Sequence, residues 1–456
     1  MIRFSLTELA RELPAVLHGA DAEVLGVGSD SRTLEPGQLF VALRGPNFDG
    51  HDYLEAAARR GAAGALVDHH VSDALPCLQV EETRLGLGRL GALWRQKSPA
   101  QMVAVTGSNG KTTVKEMLAA ILSRVDETLA TRGNLNNDIG LPLTLCRLQE
   151  ERFAVVELGA NHPGEIGYLS RLARPDVAVL NNAGRAHLEG FGSVEAVARA
   201  KAEILEGLAE GGTFVFNADD PHAPLWRELA DGVRRIGFGV REAADVTSPA
   251  GSLELRWDEA GFHSEFEVRT PSATFRVSLA LTGEHNRMNA LAAIAAAHAL
   301  GVPEAAMVEG LASLRPVAGR LAPRRGPGGV RVVDDSYNAN PESVRMAVEV
   351  LCRAPGRRLL VLGDLGELGA DAEALHGELG LHARRRGVDL LLTCGRLSRA
   401  AAESFGGGAR HFDTREALVE ALAELLRPGD TVLVKGSRTA AMDRVVEALC
   451  GEVQTC

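Results

Sequence analysis

A short apolar run, Met102-Val103-Ala104-Val105, enters the turn Thr106-Gly107-Ser108-Asn109-Gly110-Lys111-Thr112-Thr113, and helical periodicity follows over Thr113 to Arg124. A buried strand that ends in a glycine turn and opens a helix begins a βαβ unit. That unit commits the chain to a parallel sheet covered by helices. The turn also carries chemistry. Glycines let backbone N–H groups point at phosphate oxygens, and the helix N-terminus adds partial positive charge. Lys111 would reach the β- and γ-phosphates of a nucleotide, and the Thr112 hydroxyl would ligate Mg²⁺. The strict pattern G-x-x-x-x-G-K-[ST] asks for glycine where this chain has Val105, so the loop is a variant short of one glycine. The alternative, a tight turn without ligand, gives Lys111, Thr112 and Thr113 nothing to do.

The alternation continues. Phe153 to Leu158 and Asp176 to Leu180 read as further buried strands, and Ser193 to Leu208 as a helix capped by its serine. Residues 252 to 281 differ. Leu253, Leu255 and Trp257 alternate with polar residues, as do Phe275, Val277, Leu279 and Leu281, which predicts half-exposed antiparallel strands appended to the sheet. Asn286 to Leu300 reads as an alanine-rich helix. Arg315 to Gly329 holds three prolines and four glycines and reads as a linker. Beyond it, Val330 to Val333, Leu359 to Leu362, Leu390 to Thr393 and Val432 to Val434 predict a second doubly wound α/β unit. Before residue 98, Phe40 to Leu43 reads as a short strand and Asp52 to Arg60 as a helix, followed by the apolar run Ala62 to Val67, a small α/β region. The expected division is 1–97, 98–315 and 316–456. A chain of 456 residues accommodates about three domains.

Composition narrows the function. Hydrophobic residues make up 45% and charged residues 24%, so the chain is globular rather than disordered. A net charge of -11 repels phosphate backbones, and aromatics at 4% are too few for base-stacking platforms, so no nucleic-acid partner is expected. No apolar stretch reaches the roughly 18 residues of a membrane span, and the N-terminus lacks a signal-peptide pattern; a cytoplasmic protein is expected. Six cysteines are scattered without a C-x-x-C pair and read as reduced thiols.

A nucleotide loop needs carboxylates for its metal. Glu157 ends a predicted strand, on the side where open α/β sheets bind ligands, so it reads either as a metal ligand or as a solvated strand-end acid. His187 lies in the loop after Leu180, and a lone histidine is more often structural. Lys201 falls within a helix, where lysines are ordinarily solvated. The segment Thr131-Arg132-Gly133-Asn134-Leu135-Asn136-Asn137-Asp138 could hydrogen-bond a polar ligand or merely cap a loop. Asp334-Asp335-Ser336-Tyr337-Asn338-Ala339-Asn340-Pro341 is a polar turn before a helix that Asn340 and Pro341 would start, and Lys435-Gly436-Ser437-Arg438 follows the last strand.

Taken together and in order, these strings resemble the Mur ligase family, amide-forming enzymes of peptidoglycan precursor synthesis. Those carrying the resemblance are GNLNNDIG from Gly133, ELGANH from Glu157, HLEGFG from His187, DSYNAN from Asp335 and KGSR from Lys435. The resemblance spans essentially the whole chain. It implies an α/β fold of three domains: a small N-terminal domain for a UDP-linked precursor, a central P-loop ATPase domain with a parallel sheet and antiparallel extension, and a C-terminal Rossmann-like domain that closes on the nucleotide. The implied substrates are ATP, with Mg²⁺ as cofactor, UDP-N-acetylmuramoyl-tripeptide and D-alanyl-D-alanine, joined through an acyl phosphate. By resemblance, Gly107, Ser108, Asn109, Gly110, Lys111, Thr112, Thr113, Asn286, Arg320 and Asp335 meet ATP, with Asn289 near the adenine. Thr112 and Glu157 ligate Mg²⁺, and His187 helps hold a second ion. Lys201 matches a position that some members carbamylate. Asp30, Ser31, Arg32 and Asn47 resemble uridine-diphosphate contacts, and Asn134, Asn136 and Asn137 contacts to the muramoyl-peptide. Lys435 and Arg438 are candidates for the dipeptide carboxylate, which wants a cation. A monomer is expected. The rivals are another amide ligase such as a folylpolyglutamate synthase, a P-loop switch or kinase, and a scaffold without activity.

Overall fold

The computed structural model describes residues 2–69, 74–185, 188–258 and 261–451, arranged around three principal sheets. The first has the strand order Val16–His18, Cys77–Gln79, Gly64–Val67, Gln38–Val41, Gly26–Gly28, parallel except at its first pair. The helix Thr83–Lys97 leads from it into the middle of the chain. Sequence patterning does not predict this helix, because Gly86, Gly88 and Gly91 lower its propensity. Packing explains two of them. A Cβ on Gly88 would stand 2.1 Å from the Tyr168 hydroxyl, and one on Gly91 would stand 2.8 Å from the Pro142 backbone. The glycines let this helix press against two helices of the middle region, Gly140–Leu145 and Glu165–Ala173.

The second sheet has ten strands. Thr128–Ala130, Phe153–Glu157, Gln101–Thr106, Val177–Leu180, Thr213–Asn217 and Arg234–Gly239 run parallel, and their central residues are apolar and buried, as in strands covered on both faces. The sheet then turns antiparallel through Glu254–Asp258, Gly261–Arg269 and Thr274–Leu279. The buried helix Glu284–Ala299 packs beneath it together with the phosphate-loop helix Lys111–Leu122. Val105 belongs to the strand, paired with Glu157 on one side and Val179 on the other. The position at which the sequence lacks a glycine is therefore ladder, and the loop begins beyond it.

The third sheet has the order Ala322–Arg325, Arg331–Asp335, Thr431–Lys435, Arg358–Gly363, Leu390–Cys394, Ala409–Phe412. Its first strand corrects the linker expected over Arg315 to Gly329. Residues 322–325 form an antiparallel edge strand paired with Arg331–Asp334. Pro323 is tolerated there because an edge strand has one side without ladder partners. The antiparallel extension of the middle sheet also reaches this unit. Phe262 is buried among Leu321, Val333, Val344 and Leu360, with the Trp257 ring 4.4 Å from its own. No disulfide joins the five described cysteines. No described helix is long and apolar enough to cross a membrane.

Candidate active site

Parallel α/β sheets leave a crevice at the carboxyl ends of their strands. Here a cleft of about 1490 Å³ opens there, lined from all three regions: Glu82 and Arg84 from the first, the phosphate loop, Glu157 and Asn286 from the second, Arg320, Asp335, Tyr337 and Arg438 from the third.

The loop is shaped by asparagines. Gly110 sits at φ 78°, and a side chain there would collide with Asn289 Oδ1 at 2.3 Å and Asn181 Nδ2 at 2.6 Å. Asn181 Nδ2 donates to Asn109 O and to Asn289 Oδ1, each at 2.9 Å, and the Asn109 N–H donates to Asn182 Oδ1 at 2.8 Å. The Gly184 N–H donates to Ser108 Oγ at 2.9 Å. Backbone donors of the loop are thereby held in one conformation. The Lys111 ammonium donates to Gly107 O at 2.7 Å. Burial holds its pKa below the ordinary lysine value, with Glu157 pulling the other way. Thr113 follows on the first turn of the helix and also lines the cleft.

Glu157 is 3% exposed, which excludes the solvated alternative. Its Oε2 accepts from the Thr112 hydroxyl at 2.8 Å and its Oε1 from Asn136 Nδ2 at 2.7 Å. Both donors are neutral, and among the described residues no cation lies within ion-pair distance of this carboxylate. A buried anion without a cationic partner is costly. A hydroxyl and carboxylate beside a phosphate loop are hard oxygen ligands of the kind Mg²⁺ takes, so the donor set fits that ion.

Lys201 departs from the solvated default. It is 1% exposed, and its Nζ lies 5.5 Å from the Phe191 ring centroid. Burial first, and the charge of Lys111 second, push its pKa down to about 7. His187 lies outside the described residues. Asn134 and Asn137 line the cleft beside Asn136, and Asn137 Oδ1 also accepts from the Gly140 N–H at 2.9 Å, capping a helix.

From the third region, Asn340 caps the helix Pro341–Cys352 in a reciprocal box with Ser343 and donates from Nδ2 to Asn109 Oδ1 at 2.8 Å. The two regions thus touch at the phosphate loop. Arg320 and Arg438 converge on Tyr337, with guanidinium carbons 4.5 and 5.6 Å from its ring centroid. Lys435 is placed differently from expectation. Its ammonium is buried, donating to Asp335 Oδ2 at 2.6 Å and Asn338 O at 2.9 Å, so it is not a free cation for a carboxylate. Asp335 Oδ1 accepts from the Leu321 N–H at 3.2 Å, and burial raises its pKa against the pull of Lys435.

Asn286 is buried at the start of its helix, donating to Thr282 O at 2.8 Å, with the ring of His285 beside it. Burial pushes the His285 pKa down to about 4, so this cleft residue is a neutral imidazole. Sequence reasoning did not single out His285. Its only signal was a place next to Asn286 in the string GEHNRMN.

Ser31, Arg32 and Asn47 stand apart from the main cleft, in the first region. Arg32 is bound to Asp30 by hydrogen bonds of 2.7 and 2.9 Å, which lower the Asp30 pKa to about 2. A second cluster there, His51, Asp68 and His69, has ligand atoms close enough for a metal. The Arg44 guanidinium already sits 3.1 Å from Asp68 Oδ1 and 3.0 Å from His69 Nδ1, so the cluster is neutralised from within.

Residues 23–121 match the Mur ligase family, catalytic domain; residues 105–297 match the Mur ligase middle domain; residues 319–438 match the Mur ligase, glutamate ligase domain. The UDP-N-acetylmuramoyl-tripeptide--D-alanyl-D-alanine ligase of Escherichia coli is 45% identical over 98% of this chain and 99% of its own. A crystal structure of MurF from Acinetobacter baumannii is 36% identical and superposes with a TM-score of 0.91, covering 98% of both chains. The MurF ligase from Thermotoga maritima in complex with ADP is 32% identical, with a TM-score of 0.82 over 93% of this chain and 96% of that one. Domain matches in every region, an end-to-end relative and a solved structure of the same overall shape converge: this chain belongs to the Mur ligase family.

Proposed function

We propose that the chain is the ATP-dependent ligase that joins D-alanyl-D-alanine to UDP-N-acetylmuramoyl-tripeptide. The observation that carries this reading is a single cleft that sets Lys111, Thr112 and Glu157 opposite Arg320, Tyr337 and Arg438. The near full-length match to the Escherichia coli ligase supports the choice of substrates.

The terminal carboxylate of the tripeptide attacks the γ-phosphorus of ATP, and ADP leaves with the electrons of the broken P–O bond. The amine of D-alanyl-D-alanine attacks the acyl carbon. It loses a proton, and inorganic phosphate departs from the tetrahedral adduct, leaving an amide. Both steps bring anions together, so catalysis is largely positioning and neutralisation. The backbone donors of 107–113 cradle the phosphates. Lys111 leaves Gly107 O to meet the transferred phosphoryl group. Thr112 and Glu157 would hold Mg²⁺, which supplies neutralising charge at the phosphates. Asn286 and the neutral His285 face the adenine, and Arg320 meets the nucleotide from the third region. Arg438 takes the dipeptide carboxylate, since Lys435 is committed to Asp335. Asn134, Asn136 and Asn137 meet the muramoyl-peptide, while Ser31, Arg32 and Asn47 meet the uridine diphosphate.

With a pKa of about 7, much of Lys201 is a free amine near neutral pH. A free amine adds CO₂ and releases a proton to give a carbamate, which would be an anion near Lys111 and, with His187, a ligand for a second metal ion. A monomer acting in the cytoplasm, where ATP and the UDP-linked precursor are at hand, completes this reading.

The deciding experiment is phosphate release from ATP and Mg²⁺ with each of the other two substrates omitted in turn. Release that needs both, with the UDP-pentapeptide mass in the products, is expected. Release that proceeds without either substrate would identify a switch or hydrolase and overturn the ligase reading.

A further inference from the structure

Lys115 is the one buried cation of the phosphate-loop helix to which the mechanism above gives no task. It lies one turn beyond Lys111 and is 1% exposed, packed on a helix whose other buried positions include Val114, Met117, Leu118 and Ile121. Placing an ammonium there is expensive, and an unbranched apolar side chain would fill the same space without that cost. The charge must therefore be doing something that packing cannot.

Its Nζ donates to the Thr131 carbonyl at 2.8 Å and to Glu116 Oε1 at 2.5 Å. Thr131 is itself buried and closes a circuit. Its N–H donates to Val155 O at 3.0 Å, and its hydroxyl oxygen accepts the Glu157 N–H at 3.1 Å. Directly after Thr131 the chain becomes the asparagine segment. Asn136 there donates to Glu157 Oε1 at 2.7 Å, and its carbonyl accepts the Gly159 N–H at 2.8 Å. The ammonium thus grips the point from which both the asparagine segment and the backbone of Glu157 are hung. Glu116, held by the same ammonium, lines the cleft.

We propose that Lys115 is a positioning residue for the ligation reaction: through Thr131 it fixes the asparagine segment 134–137 and the Glu157 carboxylate relative to Lys111 and Thr112. The role rests on the ligase reading given above. The ammonium touches no reacting atom. It removes the freedom of a loop start whose buried carbonyl would otherwise lose this partner, a group too costly to leave unpaired.

The test compares Lys115→Met, Thr131→Val and the double variant with the wild-type chain. Thr131→Val keeps the shape and removes the oxygen that accepts from Glu157. Three measurements are made: steady-state kinetics with all substrates, thermal melting, and amide hydrogen exchange resolved to peptides. Each single variant is expected to lose on the order of 10- to 100-fold in kcat/KM, the range found when groups that orient a metal ligand are removed. The melting temperature should stay within a few degrees, and exchange should rise in residues 131–138 and little elsewhere. The double variant should be no worse than the poorer single one, because both substitutions cut the same chain of contacts. The proposal is overturned if Lys115→Met turns over within about twofold of wild type. It is equally overturned if activity falls only in step with a global loss of melting temperature and exchange protection. A wild-type chain that makes no UDP-pentapeptide would instead overturn the ligase reading, while the exchange pattern of Lys115→Met would still report on the loop.

Discussion

Asn340→Asp separates two jobs that one side chain performs. An amide has one oxygen and one NH₂ group, and here each has a different partner. The oxygen accepts the Ser343 N–H at 2.9 Å and so caps the helix Pro341–Cys352; the nitrogen donates to Asn109 Oδ1 at 2.8 Å in the phosphate loop. Because the cap uses the oxygen, the amide orientation is fixed by its surroundings. Aspartate caps helices as well as asparagine does, and its charge suits a helix N-terminus. The folded chain should therefore keep its melting temperature. Across the cleft, however, a donor becomes an acceptor facing another acceptor. Leaving such partly buried partners unpaired costs about 1–3 kcal/mol. If that contact helps to hold the third region on the loop, the competent closed form falls by about 5- to 150-fold, and kcat/KM with it. Asn340→Ala should lose the cap too, about 1 kcal/mol of stability, and separates the effects further. The assay is steady-state ligation together with calorimetric melting of each variant. An Asn340→Asp chain with wild-type kcat/KM would refute the argument, as would one whose activity loss merely tracks a lower melting temperature.

Four further outcomes follow from the same geometry. Lys111→Ala should reduce ligation on the order of 10²- to 10³-fold, the usual loss for a group that neutralises developing charge, and coupled phosphate release would show an error in its assignment if turnover survived. For Lys201, whose folded pKa of about 7 lies below its ordinary 10.5, the unfolded chain binds the extra proton between those values; in CO₂-free buffer stability should climb with pH across that window, and Lys201→Met should flatten the slope in urea titrations. Added bicarbonate should raise wild-type activity and the intact mass by one CO₂, whereas full activity in Lys201→Ala would remove the carbamate. Phe262→Ala empties an aromatic site in the third region's core and should cost about 3–5 kcal/mol, read as an early loss of that region in a melting profile.

How far the sequence could be read depended on the range of the interaction involved. The strand Gln101–Thr106, the glycine turn and the helix after it were legible because each is set by neighbours a few residues away. The same holds for the Asn340 cap, which uses contacts three residues apart. The helix Thr83–Lys97 was not, since its glycines answer to Tyr168 and Pro142 rather than to the helix itself. The edge strand 322–325 hid in a run of prolines and glycines because its ladder partner, not its composition, makes it a strand. The burial of Lys201 and the grip of Lys115 on Thr131 were invisible for a related reason. A lysine on a helix looks alike in sequence whether its ammonium meets water or a carbonyl across the fold.

The sequence by itself therefore determined the α/β class, the phosphate loop and the order in which polar turns follow strands, all products of short-range steric and periodic rules. Only the tertiary structure decided which charges are buried and which meet the cleft. It buried Lys435 against Asp335 across 100 residues and left Arg438, 3.5 Å from Asp443 Oδ2, at the cleft surface. It enclosed Glu157 with neutral donors, and it lowered the Lys201 pKa by burial. The physical reason is that the energy of a charge depends on its solvation and on partners in space, and neither is written in the residues beside it.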